Sequence, residues 1–278
     1  MELDAIRRHW DEWAAAYGTG LRATTKTPTV KRIELATLER VIAPLVAAGA
    51  TRILEIGCGN GQNALHLARA LPQARITGLD YVPAMVEAAE ALRAEAGLGT
   101  DRLCFAQGDV LRLDLPAEGF DVVFTDRCLI NLNTTALQVA AFGSIAALLP
   151  RGGHLVMIEN ETQAHARQND LRELAGLPRR APATFNHFFD RPAVLAGLAA
   201  AGFTLLAEED IVSLHDLLLY VLVPMINGGT VDYGHPLVDA AAQLQIAAAA
   251  AGLDGAAGLA GFGGFGQNRL YVCRKDAA

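Results

Sequence analysis

The sequence has few cysteines and histidines, and neither set has the spacing of a covalent framework or a metal site. Its four cysteines, Cys58, Cys104, Cys128 and Cys273, are scattered without paired spacing, so the sequence predicts neither a disulfide framework nor a zinc cage. No two of its seven histidines stand four residues apart, the spacing that places two metal ligands on one helical face. We therefore expect no metal site, and a reducing, cytoplasmic setting.

Long apolar runs and basic stretches are also lacking. Apolar runs such as 217–224 are too short to span a bilayer, and residues 1–11 are charged where a secretory signal would be apolar. The net charge of -7 opposes binding to DNA or RNA, which requires a concentrated basic surface. We expect no membrane or nucleic-acid partner, and a monomer or homodimer that acts on a small molecule.

What the sequence does contain is the pattern of an α/β protein. From residue 52 onward, short apolar runs alternate with helical stretches rich in Ala and Leu, which is typical of strand and helix units in a parallel sheet. Strands are expected at 52–56, 75–79, 103–107, 121–125, 154–158, 203–208 and 268–274. Helices are expected at 1–17, 28–47, 63–71, 83–96, 135–148, 191–201 and 236–251. The predicted fold is a Rossmann-like sheet with helices on both faces.

The 278 residues are expected to form one domain. Residues 1–47 are predicted to be a helical cap that can fold over the mouth of the sheet, and 48–213 together with 266–278 the cofactor-binding core. Residues 214–265 are far too long for a simple connection, so we expect a helical insertion that covers a site. Its helix at 236–251 is compatible with a lid, a substrate wall or a dimer face.

A glycine-rich turn follows the first predicted strand. Gly57, Gly59 and Gly61 alternate directly after it, which permits positive φ and close approach of the main chain to a ligand. In the dinucleotide pattern a third glycine would stand where Gln62 stands, and no Lys-Ser or Lys-Thr pair follows for a nucleoside triphosphate. These differences disfavour NAD and ATP. Glu55, just ahead of the turn, can order it or meet a cationic ligand.

Two carboxylates stand at the ends of the next two predicted strands. Asp80 follows the second strand, where a carboxylate can hold both hydroxyls of a ribose. Asp109 follows the third, where it can accept from an adenine amine while the N–H of Val110 meets a ring nitrogen. Tyr81 can pack on the base. Each residue alone is also typical of a helix cap or a solvated turn.

Taken together, the acidic residue, the alternating glycines and the two acidic strand ends resemble the class I S-adenosylmethionine-dependent methyltransferase family. The resemblance covers roughly 52–160. It implies a seven-stranded sheet with an antiparallel last strand, the cofactor S-adenosylmethionine and its product S-adenosylhomocysteine (SAH). It also implies that the glycines border the methionine part, Asp80 the ribose and Asp109 the adenine. Cys58 matches a variable family position and is read as a spacer, because direct methyl transfer needs no covalent enzyme intermediate.

Direct, in-line methyl transfer depends mainly on alignment, and a base is needed only when the acceptor must lose a proton. Glu159 and His187 are the acid–base candidates, because active sites of open sheets form at the carboxyl ends of strands. A capping or solvated carboxylate and a hydrogen-bonded histidine on an aromatic face are the alternatives. Tyr233 and His235, in the insertion, are weaker candidates for contact with the acceptor.

Three residues after the fourth strand and two cations ahead of the sheet are further candidates. Asp126, Arg127 and Asn131 are expected to meet cofactor or acceptor. Arg22 and Lys26 flank two threonines, a grouping that can hold a carboxylate or phosphate. They are equally compatible with a solvated connector or with the cofactor's own carboxylate.

The acceptor itself is predicted only by class. An anionic small molecule is expected from the two cations, and residues 127–132 with the insertion resemble bacterial enzymes that act on sugars or specialised metabolites. An NAD-dependent oxidoreductase and a noncatalytic cofactor-binding protein remain the alternatives.

Overall fold

Seven strands form one mixed sheet in the computed structural model, which describes residues 1–253 and 264–276. The strand order is β3-β2-β1-β4-β5-β7-β6. The bounds are β1 Arg52–Ile56, β2 Arg75–Asp80, β3 Leu103–Gln107, β4 Val122–Asp126, β5 His154–Asn160, β6 Phe203–Asp210 and β7 Asn268–Lys275. Strands β1 to β5 pair in parallel, and β7 lies antiparallel between β5 and β6. The predicted seven-stranded sheet with an antiparallel last strand is confirmed.

Helices cover both faces of this sheet. They are α1 Leu3–Tyr17, α2 Pro28–Ala47, α3 Gln62–Ala70, α4 Pro83–Glu95, α5 Thr135–Leu148, α6 Thr162–Leu174, α7 Arg191–Ala200, α8 Ser213–Leu217, α9 Val223–Ile226 and α10 Pro236–Ala250. A π-helical turn, Leu218–Leu222, joins α8 to α9. Proline stands in the first turn of α2, α4, α7 and α10, where its missing N–H breaks no helical hydrogen bond. None of the helices in the described ranges is both long and apolar enough to cross a bilayer.

Alternate residues of the central strand β4 supply two separate cores. Phe124 packs with α2 and α3 on one face, whereas Val123 packs with Phe142 of α5 on the other. This period of two explains why β4 is buried throughout, because both of its faces are covered. Phe124 and Phe142 are fully buried, and each burial contributes about 1.5–3 kcal/mol.

The carboxyl ends of β1, β2, β3 and β4 meet at one edge of the sheet. Ile56 pairs with both Leu79 and Thr125, and Asp80 pairs with Gln107. The glycine turn after β1 therefore lies between the end of β2 and the end of β4. In an open parallel sheet this edge is where ligands bind.

The N-terminal segment is fastened across this edge. Asn60 Nδ2 donates to the carbonyls of Gly18 and Gly20, at 2.9 Å each, and Gln62 Nε2 donates to the carbonyl of Thr19 at 2.9 Å. These bonds tie the connection between α1 and α2 directly to the turn after β1. The segment thereby forms one wall of the site.

Some elements differ from the sequence-based prediction. Helix α6 was not predicted, because its buried residues are polar: His165, Gln168, Asn169 and Arg172 are all nearly inaccessible to solvent. Strands β5 and β6 each extend two residues further, because pairing with β7 continues to the Asn160–Asn268 and Asp210–Arg269 positions.

The predicted division into cap, core and insertion stays a prediction. Of the insertion 214–265, residues 254–263 lie outside the described residues. Helix α10 of this insertion packs on α2 and α8.

Candidate active site

A cavity lies at the carboxyl edge of the sheet, between the strand ends and α1. The predicted site residues that border it are Gly57, Cys58, Gly59, Asp80, Tyr81 and Asp109 and, further along the chain, Val110, Asp126, Arg127 and Asn131. Leu3, Ile6, Arg7 and Trp10 of α1 border it as well. The cap and the strand ends are therefore parts of one site.

The turn after β1 requires glycine for two reasons. Gly57 and Gly59 have φ of +73° and +52°, in the left-handed region, where other residues are strained. A Cβ at Gly57 would collide with the side chain of Cys128, and a Cβ at Gly59 would lie 2.5 Å from Thr24 Cγ2. The main chain can approach this close to neighbouring segments only because both positions lack a side chain. Gly61, which caps α3 and packs on Phe105, supports the turn from outside the cavity.

Asp80 fixes the shape of the same turn. One carboxylate oxygen accepts from the N–H of Gly59 at 2.7 Å, and the other accepts from the N–H of Val82 at 2.9 Å. Burial raises the pKa of Asp80 to about 6, although these hydrogen bonds act to lower it. A carboxylate has about four lone-pair positions, so Asp80 keeps acceptor capacity towards the cavity.

The end of β3 supplies a second acidic turn. Asp109 Oδ1 accepts from the N–H of Leu111 at 2.9 Å, which holds Val110 against the cavity between them. Tyr81 is 40% exposed, and the guanidinium of Arg7 lies 5.0 Å from its ring centroid. A flat ligand group between Tyr81 and Val110 would have an aromatic ring on one side and an aliphatic chain on the other.

A buried group of charges lies where α2 meets the end of β4. Lys31 Nζ contacts Asp126 Oδ2 at 2.5 Å and Glu34 Oε2 at 2.8 Å, and Arg127 Nε contacts Glu34 Oε1 at 2.8 Å. Burial acts to lower the pKa of Lys31, but Asp126 and Glu34 outweigh it and raise it. Two cations are thus matched by two carboxylates, as a buried charge group requires. Arg127 has φ of +53°, a conformation that costs energy for a non-glycine residue.

Two acceptor atoms beside this group have no hydrogen bond within the described residues. They are Asp126 Oδ1 and Glu55 Oε2; Arg127 Nε lies 3.7 Å from the former. Burial acts to raise the pKa of Asp126, but Lys31 and Arg127 hold it below its usual value, so this carboxylate is ionised. Burial raises the pKa of Glu55 to about 8, against a bond from Asn63 that lowers it. An ionised oxygen that accepts no hydrogen bond from the part of the chain that the structure describes fits the ammonium group of an amino-acid ligand.

Glu159 lies behind the loop that follows β4 and not on the cavity surface. It is fully buried, and its carboxylate accepts from the N–H groups of Cys128, Leu129 and Ile130 and from the hydroxyl of Thr125, at 2.8–3.2 Å. Burial raises the pKa of Glu159 to about 7, against hydrogen bonds that lower it. Through these hydrogen bonds the carboxylate of Glu159 supports the loop 127–132.

The structure does not bring the other predicted residues to the cavity lining. His187 Nε2 lies 3.0 Å from Thr135 Oγ1. Arg22 and Lys26 are exposed, 5.2 Å from the ring centroids of Tyr17 and Trp13 respectively. In the insertion, His235 caps α10 by accepting from the N–H of Leu237, and Tyr233 is partly exposed. Local contacts hold these side chains where they are, and their predicted roles stay predictions.

Sequence reasoning also missed several residues that border the cavity: Trp10, Lys31, Asn63, Phe185 and Asn186. Lys31 and Asn63 lie in helices that were predicted from their apolar residues, and that pattern does not single out either polar side chain. The one available hint for Lys31 was a cation seven residues before Leu38, which places the two on the same face of the helix.

Comparisons with known proteins agree with this geometry. The profile of a family described as a methyltransferase domain matches residues 48–189. A demethylmenaquinone methyltransferase of Deinococcus radiodurans is 32% identical over 117 residues, which are 42% of this chain and 46% of that protein. An S-adenosyl-L-methionine-dependent Diels-Alderase of Talaromyces variabilis is 31% identical over 129 residues, 46% of this chain and 42% of that protein. The chain thus spans less than half the length of both curated relatives.

The fold is shared with solved methyltransferase structures. A magnesium protoporphyrin IX methyltransferase from Synechocystis PCC 6803, solved with bound SAH, superposes with a TM-score of 0.51 at 23% identity, covering 65% of this chain and 78% of that one. The family profile extends over slightly more than half of the chain, from the residues ahead of β1 to the loop before α7. The chain therefore belongs to the class I S-adenosylmethionine-dependent methyltransferase family.

Proposed function

We propose that this protein binds S-adenosylmethionine and transfers its methyl group to a small molecule. The observation that carries the proposal is that the glycine turn, Asp80, Asp109 and Asp126 border one cavity, where Asp126 Oδ1 accepts no hydrogen bond from residues 1–253 or 264–276. The glycine turn with Asp126 suits the methionine part of the ligand, Asp80 the ribose and Asp109 the adenine. We call residues 57–60, 80–82 and 108–111 the cofactor half of the cavity.

Each of these residues has a distinct task in the proposal. Asp80 accepts from the ribose hydroxyls, Asp109 and the N–H of Val110 hold the adenine, and Asp126 holds the ammonium group. When bound, S-adenosylmethionine supplies a methyl group on a positively charged sulfur. Transfer of this methyl group leaves a neutral thioether, so the main requirement is the alignment of the acceptor atom with the methyl carbon and the sulfur.

The rest of the cavity suits an acceptor with a largely apolar body. Its wall is formed by α1, the loop 127–132 and residues 185–186, which we call the acceptor half. The apolar side chains there are Ile6, Trp10, Ile130, Leu132 and Phe185. An anionic acceptor has less support, because Arg22 and Lys26 lie on aromatic rings outside the lining and Lys31 and Arg127 already face carboxylates. A specialised metabolite remains compatible with this lining.

The test begins with the cofactor. Calorimetry with purified protein should detect binding of SAH and none of NADH. The protein is then incubated with methyl-labelled S-adenosylmethionine and a metabolite extract, and the labelled product is identified by mass spectrometry. Binding of NADH without SAH would overturn the proposal. Binding of SAH with no labelled product from any extract would favour a reaction that keeps the cofactor intact, as the name of the Diels-Alderase relative suggests for that protein.

A further inference from the structure

Two asparagine side chains in the acceptor half are joined to each other and to the cap. Trp10 Nε1 donates to Asn131 Oδ1 at 2.5 Å, and Asn131 Nδ2 donates to Asn186 Oδ1 at 3.1 Å. All three residues border the cavity. We call Asn131 and Asn186 the amide pair.

The indole fixes the direction of this chain of hydrogen bonds. An indole N–H can only donate, so the carbonyl of Asn131 must face Trp10 and its amino group must face Asn186. The carbonyl of Asn186 must then accept, which leaves its own amino group outside the chain. This resolves the usual ambiguity between the oxygen and nitrogen of an asparagine side chain.

The amide pair consequently offers hydrogen-bond donors to the cavity. Each carbonyl already accepts one bond, whereas both hydrogens of Asn186 Nδ2 and one hydrogen of Asn131 Nδ2 have no recorded partner in the described ranges 1–253 and 264–276. Both residues are only partly buried, so water can satisfy these donors until a ligand oxygen replaces it. A ligand oxygen is the complementary group.

The loops that carry the amide pair are held in place from behind. The N–H of His187 donates to the carbonyl of Ile130 at 2.6 Å, and buried Gln138 donates to the carbonyls of both Leu129 and His187. Glu159 adds the three backbone bonds described above. Such support means that the donors are positioned before a ligand arrives, which favours selective recognition.

From these contacts we infer that the amide pair selects the methyl acceptor by its oxygen: a mainly apolar molecule with a carbonyl-type oxygen that accepts from Asn186 Nδ2 and Asn131 Nδ2. This inference rests on the proposed function and narrows its substrate class. The uncharged donors suit a neutral oxygen, because a carboxylate or phosphate is better matched by a cation.

The experiment compares acetophenone with ethylbenzene, which has the same carbon skeleton but lacks the carbonyl oxygen, in protein saturated with SAH. Affinities and side-chain amide signals are followed by nitrogen-15 NMR titration. Acetophenone, but not ethylbenzene, should shift the side-chain amide signals of Asn131 and Asn186. The variant Asn186→Asp should lower the affinity for acetophenone by about 2- to 10-fold, the range for one net hydrogen bond. The affinity for ethylbenzene should stay within about twofold of wild type.

Two further variants make the result specific. Trp10→Phe keeps an aromatic ring but removes the N–H that orients the amide pair. It should therefore also lower the affinity for acetophenone more than the affinity for ethylbenzene. Asn133→Asp is the matched control, because Asn133 donates to the carbonyl of Met1 and is not part of the cavity lining; it should change neither probe.

The outcomes separate this inference from the proposed function. If wild-type protein binds SAH but acetophenone affinity survives Asn186→Asp, or both probes weaken together, the inference is overturned and the proposed function stands. If wild-type protein fails to bind SAH, the proposed function itself is overturned.

Discussion

The two halves of the cavity are built by different means. In the cofactor half the main chain does the positioning: left-handed glycines and carboxylates that bind backbone N–H groups, all between residues 57 and 111. In the acceptor half side chains meet from remote segments, since Trp10 and Asn131 are 121 residues apart and Asn131 and Asn186 are 55 apart. We therefore expect the cofactor half to reject any added atom, and the acceptor half to accept exchanges that alter selectivity.

The largest effect that this comparison predicts is that of Gly57→Ala. The new Cβ would be strained at φ +73° and would displace Cys128. About 1–3 kcal/mol of strain should weaken SAH binding by about 10- to 100-fold in calorimetry.

Gly49→Ala is the control for this change. Gly49 also has a left-handed φ, +106°, but nothing lies within 4 Å of its Cβ position and it is far from the cavity. It should lower the free energy of unfolding and leave SAH affinity unchanged. If Gly57→Ala bound SAH with wild-type affinity, the cofactor half would tolerate an added atom, and the proposed distinction between the two halves would be wrong.

A smaller effect is expected for Asp80→Asn, which keeps the shape but removes the charge. SAH affinity should fall about tenfold, because hydrogen bonds to a charged group are stronger than neutral ones. The pKa of Asp80 is raised to about 6, so wild-type affinity should decline as pH falls through 6 and the carboxylate takes up a proton. The asparagine variant should lack that decline.

The stability of the protein should respond to pH in the opposite sense. Because folding raises this pKa, the folded state holds the proton more tightly than the unfolded state, and the contribution of Asp80 to stability falls as pH rises from about 4 to 6. Asp121→Asn serves as the control: Asp121 pairs with Arg52 at the opposite edge of the sheet, so its loss should leave SAH affinity unchanged. Equal loss of SAH affinity in both aspartate variants would contradict a local role for Asp80.

Behind the acceptor half, Glu159→Gln tests whether a carboxylate that supports the loop 127–132 is also a base. Replacing one acceptor oxygen by an amino group should lower the free energy of unfolding by about 1–3 kcal/mol. It should raise the KM for the acceptor while SAH affinity changes by less than about twofold. The pH profile of kcat should keep its shape.

Thr125→Val is the companion variant, because it removes only the hydroxyl that donates to Glu159. Its effects should have the same sign and a smaller size. A loss of kcat without loss of stability in Glu159→Gln would instead support Glu159 as the general base that the strand-end position predicted.

The same contrast explains what could be predicted from the sequence. The glycine turn, Asp80, Asp109 and all seven strands follow from short-range patterns, because each strand and the turn after it are contiguous in the chain. The end of β4 was identified in the same way, through Asp126, Arg127 and Asn131.

The rest of the acceptor half, formed by α1 and residues 185–186, could not be predicted by these means. Which helix face of α1 meets loop 127–132 depends on packing over more than a hundred residues, so Trp10 and Asn186 carried no local signal. Arg22 and Lys26 show the same dependence on packing: a cationic cluster predicts an anion, but the structure places the two cations over the rings of Tyr17 and Trp13. A role in binding an anion therefore stays a prediction.

The smallest effect should come from the double variant Arg22→Gln with Lys26→Gln. Both cations are exposed and lie over Tyr17 and Trp13, not on the cavity lining. Each exposed cation–π contact contributes about 0.5–1 kcal/mol, so the free energy of unfolding should fall slightly. SAH affinity and the KM for the acceptor should stay within about twofold of wild type, since neither cation reaches the ligands. A large rise in acceptor KM with unchanged stability would show that the connection between α1 and α2 moves enough to bring these cations to the acceptor. It would make charge, in addition to the amide pair, a determinant of the acceptor half.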